Sequence, residues 1–438
     1  MAIGISFAVI LGLIILSVPV AICFLCGSLL YVLLTGMSPG GIAPGAFFAL
    51  DSTTLLAIPL FLIGGMLMEI SGIAEKLIDF ASALLAKVKG GLAATIPVAC
   101  MFFGALSGSG TAAVAALGSI MIPRLEKLGW DRRYTAALMA ASGPLGFMIP
   151  PNMTAILYGV ISNTSVAALF LSTIIPGFIW CSLYLIINRI LYKKYFKENE
   201  DFQKLMNQSV KENVKKSFKE SIPAFIMPLI ILGGIYGGIF TATEAGAVAC
   251  VYAIIIGVFI YKVVDYKKFS EMTVKTGKTI GSILIIFPMV NVFTRFLIIE
   301  GVPQAVASFL LGITSNQYAI LLFINIIFLV SGMFLSSGVI TLVLTPLMMP
   351  TAVAIGLNPI QMGVMLFTAV GIGTITPPMA MNLFVSSKVS GVKFQDMLKP
   401  LWPLLFFGAV PVLLLVTFIP LLSLWLPKIV MGAKAIGL

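Results

Sequence analysis

The chain has 438 residues, of which 60% are hydrophobic and 10% charged, with a net charge of +11. Its mean hydropathy of +1.11 and its recurring apolar runs of about 18 or more residues exclude a soluble enzyme and imply an all-α polytopic membrane protein. The positive charge does not signal nucleic acid, because the lysines and arginines lie in short loops between apolar runs, as cytoplasmic loops do.

Histidine is absent, which removes the commonest general base and metal ligand. Five cysteines (Cys23, Cys26, Cys100, Cys181, Cys250) all lie in apolar segments. Cys23 and Cys26 have C-x-x-C spacing inside an expected transmembrane helix, where small packing residues are a better account than a redox pair. No Lys or Arg precedes Lys76, so a cleaved signal peptide is not expected.

Residues 3–34 form an apolar run interrupted at Val18-Pro19, and 55–72 form a second, entered through Asp51-Ser52-Thr53-Thr54. A polar stretch from Glu75 to Lys89 follows. Residues 92–123 are apolar around Ser107-Gly108-Ser109-Gly110-Thr111, and a basic patch (Arg124, Lys127, Arg132, Arg133) comes next. The run 134–165 is broken by GPLGFMIPPN at 143–152, where prolines remove donors and clash with the preceding turn. Residues 166–191 complete a first half.

The stretch 193–221 holds eight lysines and five acidic residues, with Leu205, Val210, Val214 and Phe218 roughly at helical spacing. A surface helix on the cytoplasmic face is expected there. Spans follow at about 222–240 and 244–262, then a lysine-rich loop to Lys278 and a span at 279–299. Residues 318–353 are apolar around Ser336-Ser337-Gly338. Residues 359–388 are broken at GIGTITPP, 371–378, and a last span runs from about 400 to 427.

The halves repeat. An offset of 227 carries Ser109 onto Ser336, Pro123 onto Pro350, Gly129 onto Gly356, Gly146 onto Gly373, Pro150-Pro151 onto Pro377-Pro378 and Pro176 onto Pro403. Upstream, an offset of 229 carries Pro59 onto Pro288 and Gly72 onto Gly301. The expected organisation is a first repeat, 1–191 (hairpin 92–123, broken helix 134–165), and an amphipathic connector, 192–221. A second repeat, 222–427 (hairpin 318–353, broken helix 359–388), and a tail, 428–438, complete it.

Charge orients the repeats. The segment 92–123 has Lys87 and Lys89 before it and Arg124 to Arg133 after it, so both its ends are cytoplasmic and it dips into the bilayer and returns. Its counterpart lies in a stretch without Lys or Arg from Phe296 to Ser387, so its ends are outside. The repeat is therefore inverted, with two re-entrant hairpins and two broken helices meeting near the midplane. Irregular backbone at that depth survives only where it is buried or lines a cavity.

The breaks carry hydroxyls, carbonyls and half-helix ends but no carboxylates. Such neutral oxygens suit Na⁺, and half-helix N-termini suit an anionic substrate. Close helix packing by small residues is the competing account. Glu69, Arg295 and Glu300 sit near span ends and fit interface pairing, while Glu244 after Thr241-Ala242-Thr243 fits either a helix cap or a transport role. No carboxylate pair, P-loop or metal-ligand spacing supports an enzyme or an ATP-driven pump.

Four stretches, GALSGSGTAAVAALGSIMIP (104–123), SGPLGFMIPPNMTAILYG (142–159), GIFTATEAGAVACVYA (238–253) and GIGTITPPMAMN (371–382), resemble the large membrane subunit of TRAP (tripartite ATP-independent periplasmic) transporters. The resemblance spans essentially the whole chain. It implies a Na⁺-coupled elevator, with scaffold and transport domains, in the bacterial inner membrane. It also implies a separate small membrane subunit of about four spans (Q-type) and a soluble periplasmic binding protein (P-type) delivering an organic acid. Carried over, one sodium site uses Gly332, Gly373, Thr376 and Met379. The repeat points to a second near Ala105, Ser107, Gly143, Gly146, Ile149 and Asn152, largely through backbone oxygens. Ser107, Ser109, Asn152 and Ser336 are expected to face the substrate cavity. Many family members have serine where Asn152 stands, and many have aspartate where Ser336 stands. A stand-alone Na⁺/organic-anion carrier of the same architecture, and a passive channel or assembly subunit, are the rival readings.

Overall fold

A computed structural model describes residues 1–16, 18–85, 90–206 and 210–437. Lys87 and Lys89, which the charge reading used, lie outside the described residues, as do the side chains of Glu75, Leu205 and Val210. The described chain is helical, with one isolated bridge between Trp130 and Phe196. Eight of its helices are long and apolar enough to cross a membrane.

The first hairpin has arms Gly91–Ser107 and Gly110–Lys127, and the second has arms Gln317–Phe334 and Ser337–Ala354. The first broken helix comprises Arg132–Ser142, a short turn Leu145–Met148, and Met153–Ser162, with a 45° bend. The second comprises Pro359–Gly373 and Met381–Ser390. Asp131 and Asn358, equivalent in the repeat, start these helices alike. Each side chain accepts a hydrogen bond from the backbone N–H two residues on, Arg133 at 2.8 Å and Ile360 at 2.9 Å. The Arg133 guanidinium also grips the Asp131 carboxyl and holds it below the usual carboxylate range.

Entry from opposite faces is visible in the ties at the hairpin bases. The first base carries Arg124, paired with Asp79 at 2.9 Å, and lies beside Arg132, which bonds Glu126 and the carbonyl of Ser390. Lys76–Glu220 and the Asn199 bond to the Lys127 carbonyl join the same face. The second base is closed by Gln317 Nε2 donating to the Ile355 carbonyl. It faces Asn163, at the far end of the first broken helix, across a cleft lined also by Pro303 and Gln304.

The halves interlock. Each broken helix packs along the first arm of its own hairpin, and its second segment packs along the second arm of the other hairpin. Buried polar pins fix the starts. Tyr134 donates to Asn188 Oδ1 at 2.9 Å, and Asn188 Nδ2 donates to the Gly90 carbonyl at 2.7 Å. At the repeat-equivalent position, Gln361 Nε2 donates to the carbonyls of Val416 and Thr417, while Asn325 Nδ2 donates to Thr417 Oγ1. Each broken helix is thus tied to the helix that follows it.

Several elements differ from expectation. The run 3–34 is two helices, Ala2–Ile15 and Val20–Thr35, with Pro19 as the N-cap of the second. The connector is not one surface helix. Val166–Tyr195 runs into it, Glu200–Met206 is short, and Val210–Tyr236 continues through it into the next span. The lysine-rich loop is also absent, because Asp265 caps a single helix Tyr266–Ile299. Lysine is a good helix former and no proline interrupts the stretch before Pro288, so polarity there marked a cytoplasmic helical end rather than a loop. Val302–Ile313 forms a helix that no expectation covered. Glu244 closes a capping box with Thr241, so geometry favours the cap.

Replacing Tyr134 with Phe leaves the buried Asn188 oxygen without its donor, at a cost of about 1–3 kcal/mol. Thermal unfolding of the detergent-solubilised protein should show that loss, and an unchanged midpoint would show that the pin is not stabilising.

Candidate functional site

Each break is formed by backbone meeting backbone. In the first half, a Cβ on Gly104 would overlap Gly146 Cα, and one on Gly110 would overlap the Gly143 carbonyl oxygen. A Cβ on Gly108 would lie 3.0 Å from the Pro151 carbonyl oxygen and 3.4 Å from Asn152 Cα. Gly108 also turns the tip with a left-handed φ of 61°. In the second half, a Cβ on Gly373 would overlap Gly332, and one on Gly332 would meet Val370 Cα at 2.9 Å and Gly373 Cα at 3.2 Å. Only glycine permits these approaches, which bring hairpin tips onto interrupted helices with no side chain between them. Gly104 and Gly332 stand one residue out of the 227 register. The second tip turns through Leu335 in an extended conformation, φ −116°, where the first uses Gly108.

Among the residues expected at the first sodium site, Gly143 and Gly146 pack beneath Ser109 and Gly110 at the start of the second arm, and Ala105 is buried in the first arm. Ile149 points away, packing against Gly177 of the following span. Ser107 Oγ accepts from the Ser109 N–H at 3.4 Å, and Ser109 Oγ caps the second arm by accepting from the Ala112 N–H at 3.3 Å. Asn152 is 1% exposed. Its Oδ1 accepts from the Ala155 N–H at 2.6 Å, capping Met153–Ser162. One of the two lone pairs of the side-chain oxygen is therefore taken by the helix. The Nδ2 has no partner among the described residues, and an amide N–H repels a cation and attracts an anion's oxygen.

In the second half, Gly332 and Gly373 meet as described. Thr376 Oγ1 donates to the Ile372 carbonyl at 2.7 Å, which leaves its oxygen lone pairs free. Met379 is 54% exposed, and Ser336 is exposed at the start of the second arm with no capping bond from its side chain. Asn152 and Ser336, both expected to face a substrate cavity, are thus in opposite conditions, one sealed and one open.

Residues outside the expected set join the two breaks. Phe147 and Pro144, in the first break, pack on Gly371, where a Cβ would lie 3.1 Å from each. Asn382 Oδ1 accepts from Thr111 Oγ1 at 3.1 Å, and its Nδ2 donates to Thr374 Oγ1 at 3.1 Å. Asn382 lies four residues after the prolines, and an amide at that spacing in an apolar run was a signal. Its partner Thr111, 271 residues away, was not readable.

A family model described as "Tripartite ATP-independent periplasmic transporter, DctM component" matches residues 7–422. The C4-dicarboxylate TRAP transporter large permease protein DctM of Pseudomonas aeruginosa is 35% identical, over 92% of this chain and 93% of that protein. The sialic acid TRAP transporter large permease protein SiaM of Vibrio cholerae is 34% identical, over 96% and 97%. The isethionate TRAP transporter permease protein DctMQ of Oleidesulfovibrio alaskensis is 33% identical over 94% of this chain, which spans 64% of that longer protein. Among solved structures, the Alcanivorax borkumensis YdaH transporter shares the fold, with a TM-score of 0.58, 13% identity, and coverage of 87% of this chain and 88% of that one. A full-length family match, an inverted pair of hairpins and a multi-pass helical architecture together place the chain in the DctM family, as a large permease component of a TRAP transporter.

Proposed function

We propose that this chain moves an organic acid inward across the bacterial inner membrane, coupled to Na⁺, by an elevator motion. The coupling ions bind at the two breaks. The observation that carries this reading is the pair of glycine-lined breaks, entered from opposite faces and joined back to back. Those breaks offer carbonyls and hydroxyls without carboxylates, a donor set suited to a monovalent hard cation. Gly332, Gly373 and Thr376 serve the second ion. Ala105, Ser107, Gly143 and Gly146 serve the first through backbone oxygens, with Asn152 beside them.

The moving body is the interlocked unit of hairpins, broken helices and the spans pinned to them. Two observations support that division. The pins at Tyr134 and Gln361 are buried, whereas the contacts to the remaining helices include the exposed pair Arg124–Asp79. Clefts of about 560 and 610 Å³ also lie between the end of the first broken helix and the rest, and both are lined by Asn163.

An exposure difference between the repeats supports an inward-open state. On the second segment of the second broken helix, Met381, Phe384 and Lys388 are exposed along one stripe, i, i+3, i+7, reaching the basic face. Their equivalents Thr154 and Leu157 are buried, and Ile161 is half-buried. Symmetric parts in unlike surroundings mark one side as open, and the opposite state exchanges those roles.

The substrate carries a carboxylate or comparable oxyanion, met by the half-helix N-termini at Ser109 and Ser336. A separate small membrane subunit and a periplasmic binding protein complete the system. Two measurements test the reading. Thr376→Val should raise the half-saturating sodium concentration for uptake about tenfold, a change of about 1.4 kcal/mol, in a protein that still folds. Unchanged uptake at limiting sodium would remove Thr376 from the site. Reconstituted with the small subunit, the protein should accumulate acid only when the cognate binding protein is added. Saturable uptake by this chain alone would favour a stand-alone carrier, and unsaturable sodium-independent flux a channel.

A further inference from the structure

Asn382 occupies a buried position that touches both breaks. It is 1% exposed. Its backbone N–H donates to the Thr374 carbonyl at 3.0 Å, closing the loop of the second break. Its Nδ2 donates to Thr374 Oγ1, which donates onward to the Gly371 carbonyl at 2.7 Å. Its Oδ1 accepts from Thr111 Oγ1, in the first turn of the second arm of the other half's hairpin. It also fills the space above Gly143, where a Cβ would stand 2.5 Å from Nδ2. A continuous chain of hydrogen bonds therefore runs from the tip of the first hairpin, through Asn382, to the carbonyl of Gly371 beside the second break.

The two half-helices also start differently. Met153–Ser162 is capped by Asn152, but Met381–Ser390 follows Ala380, whose φ is +40°, and has no side-chain cap. Met379 stands where Asn152 stands in the repeat. The second break is held instead by Asn382 and Thr374, so its shape is tied to a hydroxyl of the first half. An ion held at Thr376 or Gly373 would bear on the loop 374–382, and that loop reaches Thr111 and Gly143 through this amide.

We propose that Asn382 is a positioning residue that couples the two breaks, so that an ion bound at one favours binding at the other. This rests on the sodium reading above. Its signature is steepness: a coupled pair titrates with a Hill coefficient near about 2, and an uncoupled pair near about 1.

The test is a sodium titration of the thermal unfolding midpoint of the full-length protein in detergent, with choline as the control cation. Thr111→Val is nearly isosteric and removes only the donor to Asn382. It should lower the Hill coefficient towards about 1 and raise the half-saturating sodium concentration on the order of fivefold. Thr111→Ser should restore both. Asn382→Ala should act in the same direction, and the double variant Thr111→Val, Asn382→Ala should be no worse than Asn382→Ala alone. A variant that merely weakens packing would lower the midpoint equally at every sodium concentration. That outcome, additive effects, or a Thr111→Val curve as steep as wild type would overturn the coupling while leaving sodium binding intact. A wild-type midpoint that does not respond to sodium would overturn the sodium reading and the coupling together.

Discussion

Backbone groups in hydrocarbon have no water to bond, and this molecule is arranged around that constraint. Two helices are interrupted at depth, and each interruption survives because a hairpin tip is pressed onto it. Gly104 on Gly146, and Gly332 on Gly373, bring main chain against main chain. The hairpins need the breaks as much as the breaks need the hairpins, since neither tip could stand in lipid alone. Interlocking follows: the second segment of each broken helix packs along the other hairpin, so the halves fold as one body.

The two halves are related by sequence and fold but finished by different means. Asp131 and Asn358 do the same work with a charged and a neutral side chain. Tyr134 and Gln361 pin equivalent helix starts with a phenol and an amide. At the breaks the difference is larger, because a side-chain cap by Asn152 on one side is answered by a bridge through Asn382 on the other. An inverted repeat fixes where support is needed without fixing which residue supplies it.

That distinction explains what the sequence revealed. The offset of 227 was legible because Gly and Pro at tips and breaks answer to backbone geometry, which leaves few alternatives. The inverted entry was legible from charge, since Arg124 to Arg133 flank one hairpin and no cation flanks the other. Side-chain partnerships were not legible, because Thr111 and Asn382 are far apart in the chain and nothing in either sequence neighbourhood points to the other. Asn152 stands out in the sequence, but the helix-cap bond that its oxygen accepts is visible only in coordinates. Polarity was misread at 266–278, where lysines extend a membrane helix into water instead of ending it.

The glycine contacts carry a consequence for how the site can change over evolutionary time. A Cβ on Gly104 or Gly373 would overlap main chain, and one on Gly332 or Gly146 would press on it at 2.9 and 3.1 Å, so the seam resists added atoms. Ser336, Met379 and Met381, by contrast, are exposed. Chemistry can be rewritten at those positions without disturbing the joint that holds the tips in place. The architecture separates a fixed bearing from a replaceable surface.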